Sequence, residues 1–285
     1  MSTLSTAPLQ PVPFGTHHDD NTPAYADLHT HSGILVGTAG SGLTNLTQQM
    51  LVPLVNSDDT LVWVLGTSRT ADFVRPWLAP WALDHGPEAP ADPPLDWVAS
   101  SEGHSDVLLR AADRIIEARQ AEPFGTFPSI VIIAIEPGEL PGELLAGLER
   151  IQRTGRVSGV RVLSSTALPP VATRGLLRSA HVRISMASVD HERHTSIHQA
   201  RVPDVDDAEP IQSVAFYRQG AKVRRVRVAR MLPQTIDQTA RTATKHPAFG
   251  PGDLAALGQP YTERWANALP EVFPGAEDAQ LHGPL

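Results

Sequence analysis

The chain has 285 residues, enough for one large domain with a sizeable core, and 41% hydrophobic and 19% charged residues mark it as globular. A formal net charge of −8 argues against coating nucleic acid through bulk positive charge, and the absence of cysteine excludes disulfides and thiolate metal sites. Apolar runs such as 130–135 are too short to cross a bilayer, and residues 1–20 lack the basic start and apolar stretch of a signal peptide. The expectation is a cytoplasmic protein without membrane insertion.

Residues 1–26, rich in Pro, Thr, Ser and Asp without periodicity, read as a flexible N-terminal arm. From there strand and helix patterns alternate. A short apolar run at 34–36 ends in a glycine-rich turn, and 43–55 has the pattern of a helix, bent or started late at Pro53. The run 61–65 reads as a buried strand. Residues 66–103 hold many prolines and tryptophans and read as a long irregular insertion. A clear helix spans 106–120, where Val107, Leu108, Ala111, Ala112, Ile115 and Ile116 recur at helical spacing. The continuous apolar run 130–135 suits a parallel strand covered on both faces. A helix at 141–154, a strand at 160–163, a short helix at 171–178 and a strand at 182–187 follow. Residues 213–229 read as a hairpin and 234–243 as a last helix, with a loose end. The predicted class is α/β, with a mostly parallel central sheet and helices on both faces, over residues 27–232. Residues 233–285 form a C-terminal helix and tail.

The stretch Gly37-Thr38-Ala39-Gly40-Ser41-Gly42-Leu43-Thr44 fits G-x-x-x-x-G-K-[ST] except at the lysine. Such a loop between strand and helix offers backbone N–H groups as an anion cradle, and Thr44 supplies the hydroxyl that meets magnesium in an intact motif. Leu43 brings no cation. A plain glycine-rich turn is the simpler reading of this motif alone.

Further motifs follow in order. The segment Ser129–Pro141 reads SIVIIAIEPGELP, with Glu136 and Glu139 at its end. Arg153-Thr-Gly-Arg156-Val-Ser-Gly comes next, then Ser165-Thr166-Ala167-Leu168-Pro169, Arg183–Ala187, the hairpin, and Tyr261-Thr-Glu-Arg-Trp265. Together these resemble the FtsK/SpoIIIE family of DNA-translocating ATPases, including actinomycete Tra proteins, over about residues 28–265. The resemblance implies a RecA-like P-loop fold and, for the family, a hexameric ring that moves double-stranded DNA with ATP and magnesium. It also implies three losses here. The loop lysine falls on Leu43, the aspartate beside the metal on Ile135, and the glutamine sensor on Ala167. The family's glutamate falls on Glu136, and Thr166 stands beside the sensor position. Arg153 and Arg156 match a segment whose arginine can reach a neighbour's nucleotide; a helical salt bridge is the other reading.

The implied protein is a pseudo-ATPase that binds DNA or a protein partner as an accessory to translocation or conjugation. No cofactor is expected, and ATP with magnesium enters only if the chain is a working translocase. A third reading is an interaction module like the degenerate ATPase domains of type VII secretion. Partners would be double-stranded DNA, an active FtsK/Tra-like ATPase, or the chain itself as a weak oligomer. Arg224, Arg225 and Arg227 (with Arg230) are the candidate DNA contacts, a solvated hairpin face being the alternative.

Two histidine clusters compete for attention. Asp27-Leu28-His29-Thr30-His31 resembles the opening of the PHP phosphoesterase family, since histidines at i, i+2 on a strand can share a metal. That family's later ligands are missing, and no metal is expected. Asp190, His191, His194 and His198 form the second cluster, with nothing to tie it to the first.

Overall fold

The computed structural model describes residues 11–122, 125–167, 173–187, 189–203, 213–219, 221–243 and 247–276. Among them the strands are β1 (Val12–His17), β2 (Pro23–Ala26), β3 (Gly33–Val36), β4 (Thr60–Gly66), β5 (Trp97–Ala99), β6 (Ser129–Ile135), β7 (Val160–Thr166), β8 (Val182–Met186), β9 (Val214–Gln219) and β10 (Lys222–Arg227). They form one ten-stranded sheet in the order β2-β1-β10-β9-β8-β3-β7-β6-β4-β5. From β8 to β5 every pairing is parallel, and from β8 to β2 every pairing is antiparallel. All seven residues of β4 and of β7 are buried. That is why β4 reads as a continuous apolar run rather than an alternating one.

Helices cover both faces and divide the interior into two cores. On one face lie α1 (Leu43–Val55), α2 (Ser68–Ala82), α7 (Pro233–Thr242) and α10 (Arg264–Val272), burying Leu46, Met50, Trp77, Ile236 and Trp265 against the sheet. On the other lie α3 (Glu102–Ala121), α4 (Gly142–Thr154), α5 (Arg174–Ser179), α6 (His191–His198), α8 (Pro251–Leu257) and the single turn α9 (Gln259–Thr262). Their core holds Trp63, Ile115, Leu148, Leu176, Ile197 and Leu257.

The α/β class and most of the expected elements stand, and α1 spans the expected residues with Pro53 inside it. Three expectations are corrected. Within the arm expected at 1–26, residues 12–17 and 23–26 form β1 and β2, with Val12 and Phe14 fully buried; β1 pairs with β2 on one side and with β10, far along the chain, on the other. Within the supposed insertion at 66–103, residues 68–82 form α2 despite Pro76 and Pro80. Its buried Phe73, Val74, Trp77, Leu78 and Trp81 recur at helical spacing, and this burial outweighs the missing proline N–H groups. Residues 251–272 carry α8, α9 and α10, with Pro251 and Pro260 in the first turns of α8 and α9; the last nine residues of the expected tail lie outside the described residues.

Candidate functional site

The glycine-rich loop leaves the end of β3 beside the end of β7, where the Gly37 N–H donates to the Thr166 carbonyl at 3.2 Å. Its middle closes on itself, the Ser41 N–H donating to the Thr38 carbonyl at 3.0 Å. Gly40 and Gly42 sit at φ 76° and 87°, where a side chain would be strained. Gly42 is the N-cap of α1 and offers no side chain, so the first amides of the helix face the loop with the positive end of its dipole. The strand, turn and helix around the glycine-rich loop are therefore in place.

Two of the side chains beside it are apolar. Leu43, in the first turn of α1, is 8% exposed and shares a core with Ile135, which is also 8% exposed. Thr44 is exposed, while Thr47, a turn later, donates to the Leu43 carbonyl and shares a hydrogen bond with the Ser165 hydroxyl of β7 at 2.9 Å. Ser41 is 2% exposed, and its hydroxyl has no hydrogen-bond partner among the described residues. It packs against Gly37, where a Cβ would meet it at 2.4 Å. A cavity of about 240 Å³ opens here, lined by Leu43, Thr44, Arg69, Ile135, Glu136 and Ser165 among others.

Glu136 follows β6 in a left-handed backbone conformation, φ 47° and ψ 55°, which is uncommon for a residue with a side chain. Its own N–H donates to the Ser165 carbonyl, and both carboxylate oxygens accept the Ala167 N–H at 3.0 and 3.1 Å. The glutamate is thus committed to the end of β7. Thr166 is buried beside it, whereas Leu168 and Pro169 lie outside the described residues. Glu139 accepts from the Thr67 hydroxyl at 2.7 Å and pairs with Arg69 at 3.4 Å. Sequence reasoning missed Arg69 because α2 itself was missed.

The remaining candidates lie elsewhere. Arg153 and Arg156 are exposed and precede the start of β7, at the opposite end of the parallel sheet from the loop. Within one chain they cannot reach the cavity. Arg224 pairs with Asp19 and Asp20 at 2.5 and 2.6 Å, and Arg225 bonds the His18 ring at 2.7 Å; both line an open groove of about 890 Å³ with Arg201 and Lys222. Arg227 is exposed at the end of β10.

The two histidine clusters do not line this cavity. Residues 27–31 are a turn rather than a strand: Asp27 accepts from Thr30, His31 bonds Asp27 at 3.2 Å, and His31 packs on His181 with ring centroids 4.7 Å apart. His194 and His198 are buried on α6, each 2.7 Å from the Ser185 hydroxyl of β8. Burial pushes His194 down to about 4 and His198 down to about 3, so both are neutral at neutral pH. No group of three or more His, Asp or Glu side chains among the described residues is arranged to hold a metal.

Solved structures share this architecture. The cytoplasmic domain of the Thermomonospora curvata type VII secretion ATPase EccC superposes with a TM-score of 0.61 at 18% identity, over 84% of this chain and 32% of that one. EssC (ATPases 2 and 3) from Geobacillus thermodenitrificans gives 0.56 at 13% identity, over 89% of this chain and 49% of that one. The pCW3 conjugation coupling protein TcpA, in its monomer form with ATPγS, gives 0.53 at 12% identity, over 80% and 70%. The fold is that of P-loop ATPase domains. The chain spans about a third of the EccC domain and about half of the EssC structure. No protein-family profile and no curated protein sequence matches it. Among the described residues no helix is long and apolar enough to cross a membrane.

Proposed function

We propose that this chain is a pseudo-ATPase: a P-loop domain that keeps the anion-binding loop, has lost ATP hydrolysis, and serves as a DNA- or partner-binding accessory to a translocation, conjugation or secretion system. The observation that carries the reading is the lining of the cavity. Where phosphoryl transfer needs a cation from the loop and a carboxylate for magnesium, two buried apolar side chains, Leu43 and Ile135, close the wall. The third replacement, Ala167, uses its N–H to hold Glu136 in place. Phosphoryl transfer rests almost wholly on positioning and electrostatic stabilisation, so these changes strike the mechanism itself. Each lost contact costs on the order of 3 kcal/mol in the transition state, and three remove most of the rate.

The loop amides give direction to an anion, while the missing charges would have given most of the strength. ATP affinity is therefore expected to be weaker than roughly 100 μM, about −5.5 kcal/mol. The test is a nucleotide titration of the purified chain with and without magnesium, together with a turnover assay. Binding at low micromolar concentration, or magnesium-dependent turnover near about one per second that Thr44→Ala abolishes, would favour a working translocase instead.

A further inference from the structure

We propose that the groove beside β10 receives an extended acidic segment of a partner protein, laid along that strand as an added neighbour. The proposal names the kind of partner in the accessory reading and rests on that reading for its biological role. The groove carries Arg201, Lys222, Arg224 and Arg225 against two carboxylates, Asp19 and Asp20, in a chain whose formal net charge is −8. Positive charge is thus gathered at one place on an acidic molecule, a pattern that steers and orients an acidic partner. Both aspartates are committed to Arg224. Arg201 and Lys222 are exposed and pair with no carboxylate among the described residues.

The backbone supplies the second observation. Strand β1 runs beside β10 only at Thr16 and His17, opposite Arg227 and Val226, and the His18 N–H then donates to the Arg225 carbonyl at 3.0 Å. Before Arg225, β10 has a strand partner on its β9 side alone. The backbone groups of a strand alternate sides with a period of two, so the N–H and C=O of Val223 face the side on which β1 has ended. Val223 also lines the groove. An extended peptide on this side continues the ladder where β1 stops. Every second side chain of such a peptide points the same way, so carboxylates at alternate positions meet the cations as a row.

These features favour a peptide over nucleic acid. A duplex is far wider than a groove of about 890 Å³ and presents phosphate uniformly, to Asp19 and Asp20 as well as to the cations. A peptide places its few carboxylates against the cations and meets the apolar Ala200, Pro203 and Val223 besides. The turn at 18–20 then acts as a built-in competitor. Its carboxylates hold Arg224 through exposed ion pairs of little strength, which an incoming acidic side chain displaces.

The probe is a fluorescein-labelled, eight-residue peptide of alternating Glu and Thr, followed by anisotropy against the full chain at low and at physiological salt. Two peptides of the same length accompany it. Alternating Gln and Thr removes the charge, whereas alternating Glu and Pro keeps the charge but lacks the N–H groups a ladder needs. A twenty-base-pair duplex is titrated alongside. The Glu-Thr peptide should bind saturably, with both other peptides weaker by at least roughly tenfold. Arg201→Gln combined with Lys222→Gln should weaken it by roughly tenfold. Asp19→Asn with Asp20→Asn should tighten it by roughly threefold, the asparagine at 20 keeping the acceptor that the Thr22 N–H uses. Arg110→Ala, on α3 beside β4 and β5 at the far end of the sheet, should change nothing.

Equal affinity for the Glu-Pro peptide overturns the proposal, because charge without a ladder would then suffice. Binding that ignores the loss of Arg201 and Lys222 overturns it too, as does weaker binding in the Asp19→Asn, Asp20→Asn variant or no peptide binding up to about 1 mM. A duplex that binds more tightly than the peptide, and weakens in the same variants, gives the groove to DNA; the acidic-peptide assignment then fails and the accessory reading stands. ATP turnover is measured on the same samples. Rapid hydrolysis beside the expected peptide binding would refute the pseudo-ATPase reading and keep the groove. The three peptides are compared on one wild-type protein, so their result is independent of how any variant folds, and circular dichroism melts identify a variant that has lost its structure.

Discussion

Leu43 shows how a single side chain changes the meaning of a motif. Its backbone still starts a helix behind a glycine turn, but the side chain has joined the core that holds Ile135. Replacing it with lysine would push an ammonium toward apolar neighbours without giving it a carboxylate-bound metal or a polar sensor to work with. Leu43→Lys alone is therefore expected to leave ATP turnover at background, in a coupled assay with magnesium. Turnover restored by that one change would mean that Ile135 and Ala167 matter little.

Ser185, His194 and His198 give a second prediction at this scale. One hydroxyl between two rings donates to one and accepts from the other, so the ring that accepts must stay uncharged, and burial disfavours charge on both. The folded state holds them at about 4 and about 3, below the ordinary 6.5, with Arg183 and Arg218 among the charges that disfavour protonation of His198. The unfolded chain therefore takes up protons first as pH falls. Their contribution is whole above about pH 6.5 and is lost progressively down to about pH 3–4. At pH 5 each ring should have cost about 2 kcal/mol of stability. Urea midpoints measured at pH 7.5 and pH 5 should show the fall, and His194→Gln with His198→Gln should flatten it.

Between elements, the buried pair Arg119–Asp253, each side chain 1% exposed, fastens α8 onto α3. Arg119 grips both carboxylate oxygens and donates a further bond to the Ser158 carbonyl at 2.8 Å. Asp253→Ala leaves a buried guanidinium without its anion and should cost about 3–5 kcal/mol in urea unfolding. Arg119→Met combined with Asp253→Leu should recover much of that loss, since the penalty comes from the unpaired charge. The strands β4 and β6 announced themselves because their buried positions form near-continuous apolar runs, whereas the equally buried β7 carries Arg161, Ser164, Ser165 and Thr166. Helix α2 did not, because Pro76 and Pro80 suggest a break and only the spacing of Phe73, Trp77 and Trp81 betrays the buried stripe. With α2 unread, Arg69 had no address. The loop and Glu136 were legible as motifs, whereas the bond from Ala167 to Glu136 depends on two strand ends meeting, which no local pattern records.

On the scale of the whole molecule, the cavity and the exposed pair Arg153 and Arg156 lie at opposite ends of the parallel sheet. Any joint use of the two needs a second subunit. With so little positive charge in the cavity to attract a nucleotide that would bridge subunits, the expected state at micromolar concentration is a monomer or a weak assembly. Sedimentation velocity in nucleotide-free buffer checks this, and a stable hexamer there would contradict it.

The sheet also carries a consequence for how the chain reaches its native state. Strand β1 pairs with β10, and Asp19 meets Arg224 across 205 positions of sequence. The β1–β2 hairpin is therefore made long before the strand that receives it. A two-stranded hairpin has marginal stability alone, so it must wait, and its docking closes a very long loop late in folding. Until that moment β10 is the open edge of the sheet, with unpaired backbone donors and acceptors inviting another chain to pair. The opening hairpin acts as a clasp: it finishes the fold and shields the edge on which intermolecular association would otherwise begin.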